Sequence, residues 1–364
     1  MIVSANTDPK EFKTVLIDIN NISQEILELI NNSKKIIWQD LHVNMFLNES
    51  CKNNVKICIT KFEEKIILYS ILHFKSYHLR LKSFGISEGV VRGGPVVTNH
   101  FQILSDDIKK SAIYFHFKQI TSTMKSEKID RLTINGELSW KNSLDEIFRE
   151  LEFTKHHFCT FTRNLSKNPE KLLNTYSRLV KRKIKLALSN GVEIYEVSDP
   201  SSLNAFSVLW EETWSRTGVR VDKTLIYRQA KAIHDHGLGK IYLAKYKNEI
   251  VAGRIVLLDF NYNMGVDFSA PSSVNGLRFG ANYLLVHHVL TEAVKLGFST
   301  FDFLGVECSP KMGSKENGIK MFKSQFIPKE ERINVETPQY LKIISLKATF
   351  VMIIHGLIRK AIKT

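Results

Sequence analysis

Nothing constrains this chain more than the order of its predicted elements, which occurs twice. In the first half a helix is predicted over 23–30, opened by Ser23 and carrying Ile26, Leu27 and Ile30 on one face. Strand-like runs at 55–60 and 66–73 flank the charged turn Lys61-Phe62-Glu63-Glu64-Lys65, the pattern of a hairpin. Val90-Val91-Arg92-Gly93-Gly94-Pro95-Val96-Val97 reads as a strand, a sharp turn and a re-entry. A helix over 106–126, a strand over 131–135 and a helix over 144–151 complete the set.

The second half repeats that order. A helix over 169–189 has Pro169 in its first turn and Gly191 as its stop. A strand over 192–197, a helix over 203–215, a hairpin of 240–245 with 250–259, a strand over 262–268, a helix over 281–296 and a strand over 300–304 follow. The halves show no evident sequence identity, so the duplication rests on element order. It predicts an α/β fold with mixed sheets in two tandem domains of one type.

At 364 residues the chain exceeds what one core usually supports, and the polar, proline-bearing stretch Arg163-Asn164-Leu165-Ser166-Lys167-Asn168-Pro169 is the natural linker. The expected division is 1–165, 166–340, and a basic amphipathic C-terminal helix over 341–364.

The net charge of +14 predicts attraction to polyanions: nucleic acid, nucleotide-linked substrates or an anionic membrane. The helix over 169–189 contributes Lys171, Arg178, Lys181, Arg182, Lys183 and Lys185 on the face opposite Leu172, Tyr176, Leu179, Val180, Ile184 and Ala187. Either that face is simply solvated, or it meets phosphates. The tail over 340–364 is basic and apolar without an acidic residue, which suits docking on an anionic membrane as well as packing on its own protein.

Cys51, Cys58, Cys159 and Cys308 form no C-x-x-C pair, so neither a zinc site nor a disulfide framework is expected. The N-terminus lacks the basic and apolar regions of a signal peptide, and no apolar run reaches the roughly 20 residues of a membrane span. A cytoplasmic protein, peripheral at the inner face of the membrane if the tail docks there, is the expectation.

No nucleophile elbow, P-loop or complete dinucleotide fingerprint occurs, and the paired histidines 156/157, 234/236 and 287/288 lack metal-ligand spacing. Chemistry that needs only alignment and charge remains: attack of a substrate amine on an activated carbonyl, with the protein stabilising the oxyanion. The cation for that purpose is Lys323, set between Phe322 and Phe326 in Gly318-Ile319-Lys320-Met321-Phe322-Lys323-Ser324-Gln325-Phe326, shortly after Phe301-Asp302-Phe303-Leu304-Gly305. A snorkelling surface lysine is the alternative use of the same residue.

These two segments, in this order, resemble the end of the second domain in Fem-type aminoacyltransferases, the peptidoglycan interpeptide-bridge enzymes of the GNAT-like superfamily. Ile36-Ile37-Trp38-Gln39-Asp40, Val91-Arg92-Gly93-Gly94-Pro95-Val96 and the basic helix around 178–185 are similar to further family segments, so the resemblance covers most of 20–330. It implies two tandem GNAT-like domains and acyl or aminoacyl transfer to an amine of a cell-envelope precursor, nucleotide- or lipid-linked, such as a peptidoglycan or surface-polysaccharide intermediate. It also implies a catalytic role for Lys323, with Phe322 fixing its direction.

Three departures matter. The long helical arm that some members insert in the second domain is missing, which leaves tRNA use unsupported. The GNAT pyrophosphate loop is degenerate, with only Arg278, Gly280 and Ala281 in suitable places, so acyl-CoA is not supported either; no bound cofactor is expected, and the co-substrate stays open between aminoacyl-tRNA and acyl-CoA. No carboxylate is fixed as base: Asp302 stands first, with Glu307 and Asp267 nearby and strand-end structural roles equally open.

Arg216, Arg220 and Tyr227 are candidates for binding an anionic or sugar-linked substrate, and Arg278 with Gly280 for an anion at a helix N-terminus. The competing reading is a basic, non-catalytic binding protein on a degenerate GNAT-like fold, contacting RNA or a membrane.

Overall fold

The computed structural model describes residues 12–33, 35, 37–40, 43–44, 54–78, 85–135, 144–166, 168–216, 222–332 and 334–350. In chain order the strands are β1 (Phe12–Asp18), β2 (Asn54–Phe62), β3 (Lys65–His78), β4 (Gly85–Val91), β5 (Val96–Val97), β6 (Arg131–Asn135), β7 (Thr154–His156), β8 (Phe158–Asn164), β9 (Val192–Glu196), β10 (Gly239–Tyr246), β11 (Glu249–Asp259), β12 (Met264–Ser269), β13 (Thr300–Glu307), β14 (Asn334–Glu336) and β15 (Gln339–Ile343). The helices are α1 (Gln24–Asn31), α2 (Asn99–Gln102), α3 (Asp106–Ser126), α4 (Asp145–Glu150), α5 (Glu170–Thr175), α6 (Arg178–Ser189), α7 (Pro200–Ser215), α8 (Lys223–Asp235), α9 (Val274–Phe279), α10 (Ala281–Lys295) and α11 (Lys315–Ser324).

Most of these starts are written locally. Ser23, Ser105, Ser177, Ser273 and Ser314 each accept a hydrogen bond from the backbone N–H three residues on; Asp199 caps α7 by accepting from Ser201 and Ser202 N–H, and Asp222 caps α8 by accepting from Thr224 N–H. The predicted single helix over 169–189 is two helices, because Tyr176 turns extended and Ser177 caps a new start at Val180 N–H. The buried Tyr176 ring then meets His287 and Phe326.

The chain forms two units, 1–157 with 337–364, and 158–336. The first sheet runs β1-β2-β3-β4-β6-β15-β7 with β5 on β3, and the second β14-β8-β13-β12-β11-β10-β9. Position by position the two sheets match: four antiparallel strands, a parallel partner after the long helix (β4 with β6, β12 with β13), and an antiparallel strand beyond it. The strand beyond is what differs in origin. The second unit takes β8, which precedes its other elements, and the first takes β15 from the far end of the sequence.

That exchange corrects two expectations. The division falls at Phe158 rather than near 165, because β8 belongs with β13. Residues 339–343, expected as the start of a helix over 341–364, are a strand instead, with Tyr340 buried and its ring stacked on Phe148. Residues 351–364 of the predicted tail lie outside the described residues.

The exchange also corrects the cysteine reading. Cys159 on β8 and Cys308 just past β13 are 149 positions apart in sequence and form a disulfide. Cys159 pairs with Val306 across the β8–β13 ladder, so an adjacency that no spacing rule reveals is produced by strand order. The expectation of a cytoplasmic protein gains no support from the cysteines. Among the described residues no helix is long and apolar enough to cross a membrane.

In the second unit the core is the layer between the sheet and α5, α6 and α10, built from residues such as Val180, Ile184, Leu285, Val289, Phe301 and Phe326. Burying a set of this size is what positions the strand ends that follow; each fully buried Phe or Leu contributes on the order of 2 kcal/mol.

Candidate functional site

The parallel pair β12–β13 is registered at Met264↔Thr300, Gly265↔Phe301 and Val266↔Asp302, and there the pairing stops. Both strands continue, but each gains a residue. On β12 the register with β11 shifts between Ile255↔Ser269 and Val256↔Asp267, so Phe268 is extra. On β13 the register with β8 shifts between Asp302↔Thr162 and Gly305↔Thr160, so two residues face one. Bulges bend strands and re-aim side chains, and two of them at the same level part the carboxyl ends of a parallel pair, the usual place for a site in an α/β sheet.

The bulge on β13 is held by Asp302. Its carboxylate accepts from Thr160 Oγ1 and from Leu304 N–H at 2.8 Å, while Leu304 sits in the left-handed region at φ 58°. A non-glycine residue there costs on the order of 1–3 kcal/mol, which the neighbouring contacts must offset. Lys323, in the last turn of α11, closes the arrangement by donating from Nζ to Leu304 O at 3.2 Å and Gly305 O at 3.3 Å.

Four charges gather here. Arg254 on β11, 1 % exposed, pairs with Asp267 on β12, 8 % exposed, through an Nη1–Oδ2 contact of 2.5 Å. Asp302 and Lys323 complete the set. Burial raises the Asp302 carboxyl above the usual range, opposed by the Thr160 and Leu304 hydrogen bonds and by the Lys323 charge. Burial pushes the Lys323 ammonium below the ordinary lysine range, opposed by Asp267 and Asp302. Asp267 Oδ1 and Arg254 Nε are buried with no hydrogen-bond partner among the described residues. A carboxylate oxygen left without a donor in such a place is costly and calls for a functional account.

Phe322 is half-buried, its ring set edge-on to Tyr283 and Phe326 at 5.0 and 5.3 Å, which fixes the last turn of α11. Arg163, buried on β8, ties the same turn to the sheet by donating to Phe326 O and to Thr175 Oγ1. Sequence reading brought Lys323, Phe322 and Asp302 forward and the fold gathers them. It passed over Arg254 and Arg163 and ranked Asp267 low. The available signal was a lone charge within a strand of otherwise buried residues, as in Val251-Ala252-Gly253-Arg254-Ile255-Val256.

The other candidates sit elsewhere. Arg216 donates to Glu212 Oε1 at 2.8 Å and to Ser272 O, which fastens the end of α7 to the loop after β12. Tyr227 is half-buried on α8, a helix absent from the sequence prediction. Arg220 lies outside the described residues. Arg278 is exposed beside the Phe279 ring. Gly280, at φ 76°, has no room beside it: a β-carbon there would stand 2.8 Å from Lys183 O of α6. Glycine is what lets this turn pack so closely on α6. Among the described residues no three His, Cys, Asp or Glu side chains group to hold a metal.

Residues 176–316 match the family model described as Acetyltransferase (GNAT) domain. No curated protein matches the chain. Among solved structures the fold is similar to FemX, at TM-score 0.63 and 15 % identity over 94 % of this chain and 99 % of that one. It is similar to a tandem GNAT protein from the clavulanic acid biosynthesis pathway, at TM-score 0.60 and 8 % identity over 92 % and 99 %. L-PGS from Bacillus licheniformis matches at TM-score 0.51 and 10 % identity over 93 % and 97 %. The class is therefore plain: a mixed α/β chain of two GNAT-like units in tandem, the second carrying the GNAT domain match.

Proposed function

We propose that this chain is an N-acyltransferase that joins an activated acyl or aminoacyl group to an amine of a cell-envelope precursor, with the parted ends of β12 and β13 as its centre. The observation that carries this is Lys323 Nζ on the Leu304 and Gly305 carbonyls where the parallel pair separates. Two of the three ammonium N–H groups are used in those bonds. The third is the donor for the oxyanion that develops as an amine adds to the carbonyl. Asp267, with an unpartnered oxygen, accepts the proton the amine loses as the amide forms and returns it to the leaving oxygen or sulfur as that atom's bond to the carbonyl carbon breaks. Asp302 holds the bulge, and Phe322 and Arg163 hold α11.

The Fem resemblance and the likeness to FemX support an envelope precursor as acceptor. The degenerate pyrophosphate loop, with only Arg278, Gly280 and Ala281 in suitable places, favours an aminoacyl ester over an acyl-CoA as donor, because an ester does not need that cradle.

The test is transfer of label to a panel of envelope precursors from aminoacyl-tRNA and, separately, from acyl-CoA. Transfer from the ester donor that collapses in Lys323→Ala is expected. Its rate should also fall as pH rises at a point below the ordinary lysine pKa of 10.5, since the ammonium is required and burial lowers its pKa. Full activity in Lys323→Ala would sink the proposal.

A further inference from the structure

The segment between Glu170 and Glu193 contains no acidic residue and six cations, Lys171, Arg178, Lys181, Arg182, Lys183 and Lys185. None of them is in an ion pair among the described residues. On α6, Val180, Ile184 and Ala187 are buried in the core, which turns Arg178, Arg182 and Lys185 outward along one line, at helical rise about 10 Å long. All three are exposed. That line is flanked by leucines left in solvent: Leu188 is 58 % exposed, Leu186 37 %, and Leu173 on α5 38 %.

We infer that the outward face of α6 docks the protein on an anionic lipid bilayer. The cations meet headgroup phosphates, and the flanking leucines enter the headgroup boundary. Charge complementarity with a chain of net charge +14 favours any polyanion. The leucines decide between them, because against a nucleic acid they would stay stranded beside phosphates. In addition α6 has no aromatic side chain on which a base could stack. A cluster of four to eight basic residues on an amphipathic helix is the usual signature of acidic-lipid recognition. The inference does not depend on any chemistry at Lys323.

The experiment is co-sedimentation of the full chain with phosphatidylglycerol-containing vesicles and with pure phosphatidylcholine vesicles across a salt series. Binding to the acidic vesicles alone, weakening with salt, is expected. Arg178→Gln/Arg182→Gln/Lys185→Gln should weaken it on the order of 100-fold, given about a fivefold effect per basic residue at the surface. Leu186→Ser/Leu188→Ser should weaken it a few-fold, and both variants should keep the parent's circular dichroism. Removing three exposed lysines of α3 instead, Lys110→Gln/Lys118→Gln/Lys125→Gln, lowers net charge equally and should leave most of the binding. Equal loss in that control, or equal partition into neutral vesicles, overturns the inference. So does a triple α6 variant that loses affinity for a structured RNA while its vesicle partition stays unchanged.

Discussion

The two units share a strand order, yet the same place in each sheet is treated in opposite ways. In the first, the parallel pair β4–β6 stays in register to the last residue of β4, Val91↔Ile134, and the Gln39 amide donates to Gly93 O and Gly94 O of the turn that follows. In the second, pairing stops at Val266↔Asp302 while β12 runs on to Ser269 and β13 to Glu307. The buried polar groups differ in the same sense. In the first unit His116 is fully buried, with Thr60 Oγ1 and Ser70 Oγ each 2.8 Å from a ring nitrogen and Thr14 joined to Thr60. That network is neutral and satisfied, and the buried carboxylates of the same unit, Glu88 and Asp130, have their partners in Arg131 and in Ser87 and Ser345. The second unit instead buries Arg254, Asp267 and Asp302 and leaves two of their atoms without partners among the described residues. A satisfied neutral network fixes a core, whereas a charged and incompletely satisfied one where a parallel pair parts is what a reaction can use. One fold thus provides a scaffold unit and a candidate reactive unit.

The comparison can be broken most sharply at Arg254. Replacing it with Leu strands Asp267 as a buried charge and should cost about 3–5 kcal/mol in urea unfolding of the second unit. A cost below about 1 kcal/mol would mean that the pair is not buried as described.

His116 tests the other side. Burial lowers its pKa from 6.5 to about 3, so the folded chain stays neutral at acid pH where the unfolded chain takes up a proton. Its contribution is present in full above pH 6.5 and is lost as pH falls toward 3, a change of a few kcal/mol. A His116→Gln chain should show a flatter stability profile over that window, with transfer activity at neutral pH retained. An unchanged profile would place the acid sensitivity elsewhere.

Next in size is Lys323→Ala, expected to lower kcat by on the order of 10²–10³ with far less effect on stability, as befits a group acting in the transition state. A loss of stability with kcat intact would return Lys323 to the role of a bulge tie. Smallest is Gly280→Ala, which introduces a β-carbon against Lys183 O at a positive φ and should cost about 1–2 kcal/mol. Donor affinity should not change. A selective loss of acyl-CoA binding in that variant would revive the loop as a phosphate seat.

Much of the fold was legible locally. The helix over 106–126 and the strand over 131–135 fall where periodicity places them, and the hairpin turn at Lys61–Lys65 and the Gly93-Gly94 turn, both with positive φ, sit where turn residues mark them. The break at Ser177 was harder, since Leu172, Tyr176 and Val180 keep one apolar stripe across it. The helix Lys223–Asp235 was missed in a passage read for its arginines. Of the site, the Phe-Lys-x-x-Phe element and Asp302 stood out in sequence, while Arg254 and Asp267 looked like strand residues.

By itself the sequence determined where many of the elements begin and end, that they come in two similar sets, and that the chain carries a strong positive charge, because caps, periodicity and charge act over a few residues. Tertiary structure alone decided which strand joins which sheet, and with it the Cys159–Cys308 pair, the β15 return and the parting of β12 and β13 at Val266↔Asp302. Those features depend on partners as far apart in sequence as Thr160 and Asp302, and only the packing of the whole unit brings such partners together.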